Sequence, residues 1–132
     1  MPAILDTHAW LWWVDESAQL SKKAKATIER AQAHDDLWLS YISIWEVAKK
    51  VEKKQLVLDR PIDQWLDTAT TVRGLHLWEL TRSILVDACQ LPPPFHGDPA
   101  DQMIAATARH YGATVITKDQ KIRDYPHVKS IW

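Results

Sequence analysis

Ala3-Ile4-Leu5-Asp6-Thr7-His8-Ala9-Trp10-Leu11-Trp12-Trp13-Val14 opens on a three-residue apolar run, then one acid, then a stretch from Thr7 to Val14 that continues as a helix. A short apolar run of this kind reads as a buried strand, and a strand passing at once into a helix is the repeating unit of a parallel sheet. The unit recurs along the chain. Leu37 to Tyr41 reads as a second strand, Leu75 to Leu80 alternates as a third, Thr114 to Thr117 makes a fourth and Val128 to Trp132 a fifth. Helical patterns lie between them. Ser21 caps a helix from Lys22 to about His34, with Ala24, Ile28 and Ala31 on one stripe. Ser43-Ile44-Trp45-Glu46 has the form of a capping box opening a helix through about Lys54. Pro61 to Arg73 reads as a helix with Gly74 suited to its end, and Ser83 to Leu91 as another. Asp98 caps a helix that has Pro99 in its first position, runs to Tyr111 and stops at Gly112, and a short helical turn follows Asp119. Strands alternating with helices predict an α/β fold, a parallel sheet of about five strands covered on both faces.

The 132 residues fit one domain, 1–132, with enough length to bury a core without disulfides. With 46% hydrophobic and 25% charged residues the composition is that of an ordinary globular protein. Cys89 is the single cysteine, so an internal disulfide is excluded; it reads as an inert core residue, and a reducing, cytoplasmic location is the expectation. Neither a secretory leader nor an apolar run of membrane-spanning length is visible. The net charge of -1 gives no global basic signal for nucleic acid, so contact with RNA would rest on local patches. Pro92-Pro93-Pro94 and the following Phe95-His96-Gly97 mark a loop. Eight tryptophans are many for this length. Core packing is the default for them, including the Trp10, Trp13 and Val14 face; a partner surface is the alternative. His8, a lone histidine beside Asp6, reads as structural.

The acids fall where a parallel sheet collects its ligands. Asp6 immediately follows the first strand, Glu46 begins the helix after the second, and Asp119 comes two residues after the fourth. Sites in open α/β sheets form outside the carboxyl ends of the strands. Asp98 and Asp101 lie one turn apart on one helix face. Each has an ordinary structural reading as well: Glu46 as part of a capping box, Asp98 as a cap, Asp101 and Asp119 as partners of helix dipoles. Asp6 fits such a reading least, because a carboxylate at the mouth of a buried strand is costly unless paired or bound to a cation. Gathered at one sheet edge the acids would repel one another, and a hard divalent cation relieves that. Ligands that are all oxygen, with no Cys or His, point to Mg²⁺ or Mn²⁺ and to phosphoryl transfer.

Four segments together carry a family likeness. They are Ile4-Leu5-Asp6-Thr7-His8-Ala9-Trp10-Leu11-Trp12-Trp13, Leu39-Ser40-Tyr41-Ile42-Ser43-Ile44-Trp45-Glu46-Val47-Ala48, His96-Gly97-Asp98-Pro99-Ala100-Asp101-Gln102-Met103-Ile104-Ala105-Ala106-Thr107-Ala108 and Ala113-Thr114-Val115-Ile116-Thr117-Lys118-Asp119. In this order and spacing the chain resembles the PIN-domain nucleases, and within them the VapC-type toxins of type II toxin–antitoxin systems. The resemblance implies a three-layer α/β/α PIN-like fold and a catalytic acidic site of Asp6, Glu46, Asp101 and Asp119, with Asp98 auxiliary at its edge. It implies that Thr7 and Thr117 orient carboxylates or waters. It implies RNA cleavage leaving a 5′-phosphate and a 3′-hydroxyl, a homodimer, and silencing by a VapB-like antitoxin. Asp6, Asp101 and Asp119 would hold one or two Mg²⁺ or Mn²⁺ ions, with Glu46 acting through water. Similar sequences often carry Arg after the acid at 101; here it is Gln102, so any phosphate-binding role of that Arg is met differently.

Lys118 and Lys121, beside Asp119, are the basic residues placed to meet a substrate, whereas Lys49, Lys50, Lys53 and Lys54 read as a solvated helix face. Other readings remain open: a DNA-directed or structure-specific nuclease of the same superfamily, and a non-catalytic α/β binding module that keeps the acids as caps. An Asp-X-Asp phosphatase would need an acid at position 8, where His8 stands. A phospho-accepting receiver would need an Asp ending the third strand, where only Glu79 is offered.

Overall fold

The chain enters a strand at once and alternates strand and helix from there: β1 (Ala3–Leu5), α1 (Thr7–Val14), α2 (Lys22–Ala33), β2 (Leu37–Ser40), α3 (Tyr41–Glu52), α4 (Ile62–Ala69), β3 (Leu75–Trp78), α5 (Arg82–Ala88), α6 (Pro99–Tyr111), β4 (Thr114–Ile116), α7 (Gln120–Arg123) and β5 (Lys129–Ile131). This is a computed structural model, and it describes residues 1–132. The five strands pair in the order β3-β2-β1-β4-β5, every pair parallel. In register, Leu5 faces Leu39 on one side and Ile116 on the other, and Ile116 faces Ile131. The carboxyl ends therefore share one edge.

Alternate residues of a strand face opposite sides, and the core divides accordingly. Ala3 and Leu5 join Leu37, Leu39 and Leu75 with Trp10, Ile28, Val47 and Trp65 from α1 to α4. Ile4 and Val115 join Ile104 and Ala108 of α6 and Ile122 of α7. Helices thus cover both faces, and the central strands β1 and β2 are almost wholly apolar, as buried parallel strands are, while polar residues such as His76, Lys129 and Ser130 fall on the edge strands β3 and β5. Trp10 and Trp65 meet edge to face at 5.2 Å, and the Trp10 Nε1–H donates to the Ala69 carbonyl at 3.2 Å, so the buried indole leaves no polar atom unpaired. On the other face Trp38, Trp78 and Tyr111 stack, each step 4.2 Å between centroids and within 6° of parallel. Not every tryptophan packs inward, since Trp45 is 55% exposed.

Three local expectations are corrected. α3 starts at Tyr41, with Ser40 as its N-cap accepting from the Ile42 N–H at 3.2 Å. Ser43 lies inside the helix and is buried, so Ser43 to Glu46 is not a capping box, and Glu46 falls in the second turn. α4 ends at Ala69 rather than Arg73, where the β-branched run Thr70-Thr71-Val72 begins. Gly74 is accordingly no helix terminus. It turns the chain into β3 at φ +83°, with a hypothetical Cβ only 2.4 Å from the Gln32 carbonyl oxygen. Cys89 is exposed, not core, because α5 ends just before it.

Candidate active site

Between β1 and β4 the strand order reverses: β1 leads to β2 and β3 on one side, β4 to β5 on the other. Such a reversal opens a crevice beyond the carboxyl ends, and Asp6 and Asp119 stand at the ends of those two strands. Asp6 is 4% exposed. It caps α1 through the Thr7 N–H, which donates to Oδ1 at 2.8 Å, and the Thr117 hydroxyl donates to Oδ2 at 2.6 Å. His8 Nδ1 lies 3.5 Å from Oδ2, while the ring's Nε2 accepts the Lys118 N–H at 3.0 Å. With Nε2 accepting, the ring proton sits on Nδ1 and faces the carboxylate. His8 therefore ties the first turn of α1 to the segment just after β4, in keeping with a structural part.

The inward turn of Ser43 sets the next link. Thr7 Oγ1 hydrogen-bonds Glu46 Oε1 and lies 2.9 Å from Ser43 Oγ. A hydroxyl has one proton, so with Thr7 donating to the carboxylate it accepts from Ser43. Burial raises the Glu46 carboxyl above its ordinary value, the Thr7 bond opposes this, the charges of Asp6 and Asp98 add to the rise, and Lys50 pulls it down.

On the other flank, Asp98 caps α6 and its Oδ1 accepts the Asp101 N–H at 3.0 Å, which presents Asp101 in the first turn. Asp101 Oδ2 is 2.6 Å from His96 Nε2. Its carboxyl is pushed up to about 7: burial is the largest cause, the His96 hydrogen bond works against it, and the charges of Asp6, Asp98 and Asp119 push it further. Asp119 is held by the Lys121 N–H at 2.9 Å and donates its own N–H to Thr117 Oγ1 at 3.0 Å. Thr117 thereby joins Asp6 to Asp119. Gln102 donates from its side-chain amide to the His96 carbonyl at 3.2 Å and so fastens the loop that carries the imidazole.

The five acids singled out in the sequence therefore share one neighbourhood, with Asp6 and Asp98 close enough to act on both Glu46 and Asp101, and Asp119 on Asp101. Asp6, Glu46, Thr7 and Thr117 form one hydrogen-bonded network around β1. The atoms that converge tightly enough for one cation are those of His96, Asp101 and Asp119, all within 4.8 Å of one another. Asp6 is not in that trio, and His96 is. An imidazole thus stands beside the carboxylates singled out in the sequence; sequence reasoning did not pick it because it sits in a proline-rich loop without periodicity. The donors fit a divalent cation: the Asp101 carboxyl, raised above its ordinary value by burial and neighbouring acids, lies with the Asp119 carboxyl and an imidazole nitrogen alongside.

Among the lysines, Lys118 reaches over the Trp12 ring at 5.7 Å, and exposed Lys121 lines a groove shared with His96, Phe95 and Tyr125. Lys49 is taken up by Glu52 at 2.8 Å and by the Trp45 ring.

Against known proteins, the PIN domain family matches residues 3–128. Ribonuclease VapC22 of Mycobacterium tuberculosis is 36% identical over 129 residues, 97% of this chain and 95% of that protein. Among solved structures, FitAcB from Neisseria gonorrhoeae superposes with a TM-score of 0.70 at 17% identity, covering 98% of this chain and 96% of that one. DNA-bound VapBC from Salmonella typhimurium gives 0.69 at 16% identity, with 99% and 97% coverage. A toxin–antitoxin complex from Klebsiella pneumoniae gives 0.64 at 19%, with 96% and 94%. At these identities the structural likeness is one of fold.

Proposed function

Since this chain belongs to the PIN-domain family, we propose that it is a Mg²⁺- or Mn²⁺-dependent endoribonuclease, the toxin of a toxin–antitoxin pair. The observation that carries the reading is the convergence of ligand atoms from His96, Asp101 and Asp119 within 4.8 Å of one another, in a pocket where burial and the charges of Asp6, Asp98 and Asp119 push the Asp101 carboxyl up to about 7. Structural caps have no reason to be crowded until one resists ionising; a cation-binding pocket has. Likeness to a curated ribonuclease over nearly the whole chain supports RNA as the polymer cut.

In this reading Asp101 and Asp119 hold the cation, and Asp6 lends its charge from the floor of the crevice. A cation bound there supplies polarisation of the phosphate and a lower pKa for an attacking water. The rest is done by side chains. Thr7 and Thr117 fix the Glu46 and Asp6 carboxylates by hydrogen bonds, so each keeps one orientation as substrate arrives. Glu46 would orient the attacking water for in-line displacement. Lys121, on the groove beside His96, meets a neighbouring phosphate, and Lys118 stands at the end of β4 beside it. The relatives solved as toxin–antitoxin complexes support a VapB-like antitoxin as partner. A homodimer and a cytoplasmic setting complete the reading, and no helix is long and apolar enough to cross a membrane.

The test is incubation of the purified chain with labelled RNA and DNA, with Mg²⁺ and with EDTA. RNA cut only with the cation is the expected result. DNA cut in preference would move the assignment to a DNA-directed nuclease, and neither cut would leave a binding module.

A further inference from the structure

We propose that His96 is itself a metal ligand, its Nε2 joining the carboxylates of Asp101 and Asp119 on one divalent cation and biasing the site toward manganese over magnesium. The proposal rests on the metal-dependent reading above and deepens it by naming a nitrogen ligand and a selectivity.

The geometry comes first. An octahedral ion of this size sets neighbouring ligand atoms about 3 Å apart and opposite ones about 4 Å apart. His96 Nε2 and Asp101 Oδ2 are 2.6 Å apart, and the trio lies within 4.8 Å, so shifts under about an ångström close the ligand set. The imidazole is also held from outside the acids. Gln102 grips its backbone carbonyl, and the Phe95 ring lies 4.4 Å from the His96 ring. His96 and Asp101 side chains are only 18% and 16% exposed, so the pair is set in the wall of the crevice rather than swinging in solvent.

The charge argument points the same way. Asp101 already faces Asp6, Asp98 and Asp119. A further anionic ligand would add repulsion, whereas a neutral imidazole adds a donor without charge. Both ions take oxygen ligands, but magnesium dehydrates reluctantly and keeps its waters, whereas manganese stands in the first-row transition series and gives up a water for a nitrogen donor more readily. Replacing one oxygen by nitrogen therefore changes which ion the pocket prefers more than how many ions it takes.

The test uses the full chain, wild type, His96→Ala and His96→Gln, in mildly alkaline buffer where imidazole is neutral. Mn²⁺ and Mg²⁺ are titrated separately by calorimetry, and pulsed electron paramagnetic resonance of the Mn²⁺-loaded chain reads coupling to a directly bound nitrogen. Wild type is expected to show that coupling. Both variants should lose it, with the Mn²⁺-to-Mg²⁺ affinity ratio falling roughly tenfold or more, the scale on which metal sites respond to losing a supporting group. His96→Gln retains a donor for Asp101, so if it keeps the wild-type ratio, His96 only positions Asp101 and the proposal fails. Mn²⁺ bound to wild type without nitrogen coupling also overturns it and leaves the nuclease reading standing. If neither ion binds wild type, the proposal and the metal-dependent reading fall together.

Discussion

Both oxygens of the Asp6 carboxylate are met by donors, the Thr7 amide on Oδ1 and the Thr117 hydroxyl on Oδ2. Asparagine caps a helix as well as aspartate does, so Asp6→Asn should keep the far-ultraviolet circular dichroism of the parent. It removes a negative charge that favours the bound cation, whose polarisation of the phosphate is worth several kcal/mol, and RNA cleavage should fall by at least about a hundredfold. Cleavage at the parental rate would show the site to be misassigned. Gln102→Ala frees the His96 carbonyl, and urea unfolding should find the variant less stable by about 1 kcal/mol, the net worth of one such hydrogen bond. At this scale the sequence was uneven. Asp6 stood out because an acid directly after a buried apolar run has few ordinary explanations. His96 did not, since its partner Asp101 lies five residues on, across a cap. Cys89 misled because free cysteines are mostly buried, while this one falls just past a short helix.

Among the elements, the two positive-φ glycines separate conformation from crowding. Gly112 caps α6 at φ +66° with open space where a Cβ would go, and Gly74 combines φ +83° with the Gln32 carbonyl at 2.4 Å. Alanine at 112 should cost about 1 kcal/mol, the ordinary penalty of a left-handed non-glycine residue. Alanine at 74 should cost about 2 to 3 kcal/mol, near the upper end of that range because backbone must also shift. Equal losses in thermal unfolding would refute the contrast. Most element types were legible from apolar runs and caps, and Ser21, Asp98 and Gly112 act as the sequence suggests. The start of α3 was not, because Ser40 and Ser43 are both good caps locally. What decides between them is the buried Thr7 hydroxyl that claims Ser43.

Across the whole molecule, the crowding of acids sets a direction for stability with pH. Asp101 has a carboxyl raised from 3.8 to about 7 on folding, and Glu46 is raised as well. A carboxyl raised in the folded state stabilises below its unfolded pKa and loses that contribution as pH climbs through the folded one. The metal-free chain should therefore lose melting temperature between about pH 4 and pH 7 through these groups, and Asp101→Asn should flatten the decline. Divalent cation should restore the loss at the alkaline end, by about 2.7 kcal/mol when it exceeds its dissociation constant a hundredfold. An unchanged profile with and without cation would argue against the pocket. Parallel strands and covering helices could be read from the alternation of elements, but not the order β3-β2-β1-β4-β5. Which strands become neighbours is decided by packing between distant segments, and that order is what sets Asp6 beside Asp119. The Trp38–Trp78–Tyr111 ladder spans the same kind of long-range contact, from β2 through β3 to the last residue of α6. Aromatic rings held face to face at that distance couple their excited states, so near-ultraviolet dichroism from the ladder offers an optical gauge of whether the helix bearing Asp101 is seated on the sheet.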